Sequence, residues 1–414
     1  MHEVKNIALT LSIVFLAVTF SCKQKEETPK IEAAQEITLG SLLKPLDTPS
    51  KGKAHLPRLV AQNGALHMTW VEQEDSLAIL NYATYKNQHW SSPKTITSGA
   101  DWFVNWADFP ALAVNGETVL TNILQKSAEG TYDYNIKLNL LTGDSLVKSN
   151  FILHTDGIPA EHGFVAMRPY DDGFYVSWLD GRDTKNEKKE DNQMTLRAAI
   201  VSMDGTIKED TEIDPRVCDC CNTAIGITYN GPVVVYRDRS EEEKEIRDTY
   251  IVRWVDGAWT TPKAIHNDQW NLNGCPVNGP AIATQEENVV VSWFTASNET
   301  PRVLVAFSQD NGATFSTPVR VDAGMAIGRV DTAFLKDGSA LVSWLEPLGD
   351  KVVLQVVRVH QDGRKEAPIT ITTTSAARAS GFPQIEVMGT TVYVAWTDLQ
   401  DDSSQIEMTS FEIE

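Results

Sequence analysis

The sequence predicts an all-β fold, a β-propeller of four-stranded blades, with seven blades favoured and the ring closed by an N-terminal strand. Three observations predict it. A short apolar strand ending in tryptophan recurs as His67-Met68-Thr69-Trp70, Tyr175-Val176-Ser177-Trp178, Val290-Val291-Ser292-Trp293, Leu341-Val342-Ser343-Trp344 and Tyr393-Val394-Ala395-Trp396. Each copy follows another short apolar strand, and the pairs repeat about every 50 to 60 residues, a spacing that suits propeller blades. A second signature closes several units, an aromatic residue followed by hydroxyl residues and proline: Trp90-Ser91-Ser92-Pro93, Trp259-Thr260-Thr261-Pro262 and Phe315-Ser316-Thr317-Pro318.

In chain order, the first segment is a leader. Lys5 precedes an apolar run from Ile7 to Phe20 that is short for a bilayer span and suits a signal segment. It ends at Thr19-Phe20-Ser21-Cys22 and resembles a bacterial lipoprotein signal, which implies lipidation of Cys22 and residence in the cell envelope as an outer-membrane lipoprotein. Residues 23–35, opening with Lys23-Gln24-Lys25-Glu26-Glu27, read as a charged, flexible tether. Residues 36–414 then form one propeller domain.

Val234-Val235-Tyr236 and Leu120-Thr121-Asn122 fill the tryptophan strand in two weaker copies, which brings the strand pairs to seven. Gly- and Asx-rich turns before the second signature, with further copies at Gly143-Asp144, Asp204-Gly205 and Asp362-Gly363, meet the demands of tight hairpins. There are six such turns, and the sequence ends after what would be the third strand of the last unit. An unpaired outer edge exposes backbone donors and acceptors, so residues 37–46 are expected to supply the missing strand. A six-bladed ring with an irregular second unit is the alternative.

Ser308-Gln309-Asp310-Asn311-Gly312-Ala313-Thr314-Phe315 matches the Asp-box turn that sialidases and other propellers repeat. Longer stretches carry a wider resemblance: Asp101-Trp102-Phe103-Val104-Asn105-Trp106-Ala107-Asp108, Glu161-His162-Gly163-Phe164-Val165, Trp178-Leu179-Asp180-Gly181-Arg182, Val217-Cys218-Asp219-Cys220-Cys221 and Gly274-Cys275-Pro276-Val277-Asn278-Gly279-Pro280. They resemble a family of exported bacterial proteins labelled sialidase-like or BNR-repeat proteins. The resemblance implies the fold and carries little mechanism.

Propeller topology sends outer-to-inner and second-to-third connections to one face. That face takes the long, chemically rich loops, around 100–108, 154–162, 180–191, 214–221, 237–248 and 266–279, and is the expected site. Asp101, Asp108, Glu161, His162 and Asp180 are the candidate acids and bases. Arg58, Arg182, Arg237, Arg239 and Arg247 offer planar forks for a carboxylate or sulfate, and Trp102, Trp106 and Trp270 offer faces for a sugar. The competing reading makes the Arg-Asp pairs blade-to-blade struts. Sialidase chemistry resembles three arginines with a Tyr nucleophile activated by Glu. Here the aromatic-Arg-Ile-Pro strand of true sialidases is absent, Leu56-Pro57-Arg58 runs in another order, and no Tyr stands out as a nucleophile. The expected ligand is therefore a glycan or other small anion, bound and in one reading hydrolysed.

A net charge of -20 supplies no basic stripe for nucleic acid, and contact with membrane is expected through the lipid anchor alone. Cys218, Cys220, Cys221 and Cys275 are expected to form disulfides in an oxidising compartment. The alternative is a thiolate metal site completed by His162 or His266. No other cofactor is expected. The charge runs 186–192 and 241–245 read as solvated loop tips.

Overall fold

The computed structural model describes residues 43–143, 145–240, 245–401 and 403–413. The leader, Cys22, the tether and residues 37–42 of the expected closing strand lie outside the described residues. All the rest belongs to one compact unit, Leu39–Glu414.

A strand packed between two sheets must be apolar on both faces. The second strands Gly173–Asp180 and Gly231–Arg237 are buried along their whole length, which is why their sequences run apolar without alternation. The repeat tryptophans wedge between neighbouring sheets: Trp70, Trp178, Trp293 and Trp344 are fully buried. At ~25 cal/mol/Å² over roughly 200 Å² of ring, each contributes about 5 kcal/mol. Tyr236 holds the same place and is also fully buried. In the weaker copy Asn122 stands there, and its Oδ1 accepts the Ala111 N–H at 2.8 Å.

Among the described residues the strands form seven antiparallel sheets. Their inner strands, which number the blades 1 to 7, are Ala54–Gln62, Leu112–Asn115, His162–Tyr170, Ala224–Thr228, Ala281–Gln285, Gly328–Phe334 and Gln384–Met388. The aromatic-hydroxyl-proline signature breaks the outer strand of blades 1 and 4 into two pieces, His89–Trp90 with Lys94–Gly99 and Ala258–Trp259 with Lys263–Ala264. Pro93 and Pro262 have no N–H to give the ladder at those breaks. The Asp-box folds as its chemistry requires: Asp310 Oδ1 accepts the Thr314 N–H at 2.9 Å, Gly312 takes φ 78°, and Phe315 packs against the core between blades 4 and 5.

The ring closes by pairing the two ends of the domain. Lys44–Leu46 lies antiparallel to the last strand, Ser403–Glu412, with Lys44 opposite Ser410. This makes the seventh sheet four-stranded and removes the six-bladed alternative. The described part of the closing strand is Lys44–Leu46, within the segment 37–46 expected from sequence, and residues 37–42 lie outside the described residues.

Candidate functional site

The long loops share one face, and at the junction of blades 2 and 3 they bring acidic, histidine and arginine side chains together. The scaffold beneath is strained. Leu56, Phe164, Val277 and Arg329 enter their inner strands with φ of 57°, 53°, 49° and 57°, a region that costs non-glycine residues on the order of 1–3 kcal/mol. Hydrogen bonds from the preceding blade hold these bends: Asn278 Oδ1 accepts the Arg329 N–H at 2.7 Å and Asp108 Oδ1 accepts the Phe164 N–H at 2.6 Å. Asn222 Oδ1 likewise accepts the Gly279 N–H at 3.1 Å, two residues after the Val277 bend. The Leu56 N–H donates to the Thr397 hydroxyl at 3.2 Å, so Asp108 is the acidic member of a set of struts that otherwise uses asparagine and threonine.

The carboxylate adds a second contact that no amide in the set makes. The Tyr134 hydroxyl lies 2.9 Å from Asp108 Oδ2 and 2.9 Å from Glu161 Oε1. A phenol has one proton to donate, so the second hydrogen bond needs a protonated carboxyl. Burial pushes Asp108 up to about 7, against the opposing hydrogen bonds from Phe164 and Tyr134. Burial also raises Glu161 to about 8, helped by the fields of Asp108 and Asp219. The two titrate as a pair. The extra amide on Asp108 favours its charged form, which places the shared proton on Glu161. The phenol itself is buried, stacked on Phe103 at 4.4 Å, and held well above its ordinary pKa by burial and both carboxyls. Glu161 keeps a partly exposed edge.

Two glycines make this packing fit. A Cβ on Gly163 would lie 2.0 Å from Asp108 Oδ2, and one on Gly181 would lie 2.7 Å from the Glu161 carbonyl. The Glu161-His162-Gly163 and Asp180-Gly181-Arg182 motifs therefore belong to one structure.

Behind Glu161, His154 and His162 stack with ring centroids 3.7 Å apart. Burial lowers His154 to about 4, so it is neutral and donates from Nδ1 to Asp156 Oδ2 at 2.7 Å. His162 Nδ1 lies against the carbonyls of Tyr134 and Ala160, and its Nε2 faces Asp156 at 3.4 Å and Asp180 at 3.6 Å. Asp180 accepts the Trp178 Nε1–H at 2.8 Å, as Glu72 accepts that of Trp70, which marks it as a repeat-position strut. It also grips Arg182 through two 2.8 Å bonds. Burial raises the Asp180 carboxyl, but Arg182, His162 and Trp178 outweigh burial and hold it at about 2.

The other sequence candidates divide. Asp101 is exposed on the rim and accepts from Gln125 at 2.8 Å, apart from the carboxyl pair. Trp102 is half-buried over Gly99. Arg237 is fully buried and spends its donors on the carbonyls of Arg247, Asn278 and Phe294. Its guanidinium lies 4.8 Å from the ring of Trp270, itself buried. These two act as struts and offer no face to a sugar. Arg239 and Arg247 both bind Glu245, so that residue is an anchor and no mere solvated tip; residues 241–244 lie outside the described residues. In the 186–192 run residues 186–191 are exposed and Asn192 is half-buried, and the run includes a short 3₁₀ turn, Lys189–Asp191.

Arg58 lines a central channel cavity of about 70 Å³ with Arg168 and Asp331. Burial lowers it to about 10, and its guanidinium sits 4.4 Å from the Phe109 ring. The disulfide expectation is not met: Cys218, Cys220, Cys221 and Cys275 are free. His266 pairs with Asp268 at 2.8 Å.

Two residues were missed in sequence. Tyr134 sits in a strand where it reads as one more core aromatic. Arg378 is exposed and, among the described residues, forms no ion pair; it lines a groove of about 380 Å³ on the same face with His55, Asn105 and Trp106. Trp106 stacks on Phe382 at 5.8 Å there, two residues before Asp108. The Arg378 loop precedes the Gly381-Phe382-Pro383 repeat, and that position in the unit was the available signal.

No family model matches the chain, and no curated protein matches it. Solved structures are similar in fold. The polysaccharide lyase Uly1 aligns with TM-score 0.50 and 9% identity over 87% of this chain and 90% of that chain. The phage phi92 endosialidase gives TM-score 0.49 and 10% identity over 90% and 69%. The Trypanosoma rangeli sialidase, in complex with sialic acid, gives 0.42 and 11% over 89% and 56%. At these identities the likeness is one of fold: the chain is a seven-bladed propeller similar to those of glycan-processing enzymes.

Proposed function

We propose that the protein binds an acidic glycan on the long-loop face and cleaves it with Glu161 as proton donor. The observation that carries this reading is the Tyr134 hydroxyl shared between Asp108 and Glu161. It demands a protonated carboxyl near neutral pH, the state a general acid needs to protonate a departing sugar oxygen. A groove on the same face supplies recognition: Trp106 and Arg378 line it, and the Arg378 guanidinium, 6.0 Å from the Trp106 ring and without an ion pair among the described residues, is open to a carboxylate or sulfate. The lyase of similar fold acts on a polysaccharide, in keeping with this class of substrate. The reading extends to location: residues 5–22 resemble a lipoprotein signal, which supports work in the cell envelope with Cys22 as lipid anchor.

The test is a panel of sialosides, uronides and sulfated polysaccharides, read by release of reducing or unsaturated ends. Glu161→Gln is expected to lower turnover by roughly 10²- to 10⁴-fold with binding kept, and Arg378→Ala to weaken binding. One observation favours a purely binding role: Tyr134 is fully buried, so its phenol is closed to a substrate as a nucleophile. Thermal stabilisation by a glycan with no turnover would select that reading.

A further inference from the structure

Outside the carboxyl site, the same face carries four cysteines from two loops. Cys218, Cys220 and Cys221 lie on the loop entering blade 4, and Cys275 on the loop entering blade 5. The Sγ of Cys218 is 3.7 Å from that of Cys220 and 3.8 Å from that of Cys221. The sulfurs of Cys218, Cys220 and Cys221 all lie within 4.8 Å of one another, as do the Cys220 and Cys275 sulfurs and an Asp219 carboxylate oxygen. Cys220 thus touches both halves of the cluster.

These spacings are informative. A disulfide brings two sulfurs to ~2.05 Å, far closer than either distance. A tetrahedral ion with bonds of ~2.3 Å to sulfur sets its ligands about 3.8 Å apart along each edge. The Cys218–Cys220 and Cys218–Cys221 edges match this spacing. We infer that Cys218, Cys220 and Cys221 form a thiolate site for one soft d¹⁰ ion, Zn²⁺ or Cu⁺, with Cys275, which meets the group through Cys220, as the fourth ligand.

A second observation points the same way. Arg247 is buried beside the cluster; its Nε and Nη1 make no hydrogen bond, and Nη1 has only the Asp219 carboxylate at 3.8 Å. Two orphaned N–H groups on a buried cation are costly, whereas metal-bound thiolates would accept from them and have part of their negative charge offset. Nη2 is pinned to Glu245 at 2.8 Å, so the free edge is held in place.

The loops are fixed by contacts that do not involve sulfur. The Cys218 N–H donates to the Arg237 carbonyl at 3.0 Å. Asn222 holds Gly279, and Arg237 holds the Asn278 carbonyl, so the Cys275 loop is tied to the Cys218 loop across the blade boundary. Cys218 and Cys221 are buried and Cys275 is exposed, which gives a dry interior and a route for the ion. Binding forms four metal–sulfur bonds and releases the thiol protons to solvent, with no change of oxidation state. His162 and His266, considered from sequence as further ligands, face Asp156 and Asp180, and Asp268.

The site stands independently of glycan cleavage. The protein is purified without chelator under anaerobic conditions, and metal content and intact mass are measured on the same sample. The expected result is one equivalent of zinc or copper and, after denaturation, the mass of the fully reduced chain. Stripped protein titrated with Cd²⁺ should develop thiolate charge-transfer absorption that saturates at one equivalent. Cys275→Ser, an exposed position that leaves the core untouched, should weaken Cd²⁺ binding at least tenfold, and Arg247→Gln should weaken it roughly 10- to 100-fold. A folded protein that takes up neither native metal nor Cd²⁺, or a mass four hydrogens short that reports two disulfides, would overturn the inference.

Discussion

Asp108→Asn separates the two jobs of one side chain. Its strut role needs an acceptor for the Phe164 N–H, and Asn222 and Asn278 show that an amide suffices at this position. Its ionisation is a different matter. Burial moves the carboxyl from an ordinary 3.8 to about 7, some 3 units, and at ~1.4 kcal/mol per unit this is about 4 kcal/mol. The sign follows from proton binding. Between pH 4 and 7 the folded chain keeps a proton that the unfolded chain has released, so this contribution to stability is full below pH 4 and lost as pH rises to 7. Asparagine has no such loss. Denaturant unfolding of wild type and Asp108→Asn should give similar stabilities at pH 4, with the variant ahead by up to about 4 kcal/mol at pH 8. Parallel curves across this range would refute the raised carboxyl.

Further outcomes follow from the same contacts. If Glu161 is the proton donor, turnover falls above pH 8, and Asp108→Asn moves that limb to lower pH, because Asp108 helps to raise Glu161; pH–rate profiles of the two proteins test this. Gly163→Ala puts a methyl 2.0 Å from Asp108 Oδ2, so it should cost about 1–3 kcal/mol and depress turnover with it. Arg237→Met strands the carbonyls of Asn278, Phe294 and Arg247 and should cost at least about 3 kcal/mol in thermal or denaturant unfolding. Beginning the chain at Thr48 removes the strand Lys44–Leu46 and bares the edge of Ser403–Glu412; a lower melting temperature with self-association on a sizing column is the expected result.

The fold was legible because it repeats. A tryptophan strand buried on both faces has a composition that alternating solvent-facing strands lack, and Pro93 and Pro262 marked real breaks in outer strands. The need for a closing strand could be argued from an unpaired edge, but its register, Lys44, Pro45 and Leu46 opposite Ser410, Thr409 and Met408, is set in three dimensions and no local pattern encodes it. In the site, Asp108, Glu161, His162 and Asp180 stood out as motifs. Their division into a proton-sharing pair and a repeat strut depends on what faces each carboxyl. Arg237 and Trp270 have the residue types of a ligand site, yet their neighbours are backbone carbonyls and a core. Tyr134 carried no distinguishing pattern at all, since its role comes from two side chains 26 residues before and 27 after it.

The shared proton is the claim on which the functional reading turns, and infrared difference spectroscopy reads it directly. The spectrum of wild type minus Glu161→Gln, recorded from pH 6 to 10, should show a protonated carboxyl C=O stretch at pH 7 that disappears with a midpoint near 8 and returns as carboxylate absorption. A difference spectrum that contains carboxylate bands alone at pH 7 would place Glu161 in its ionised form and contradict the account.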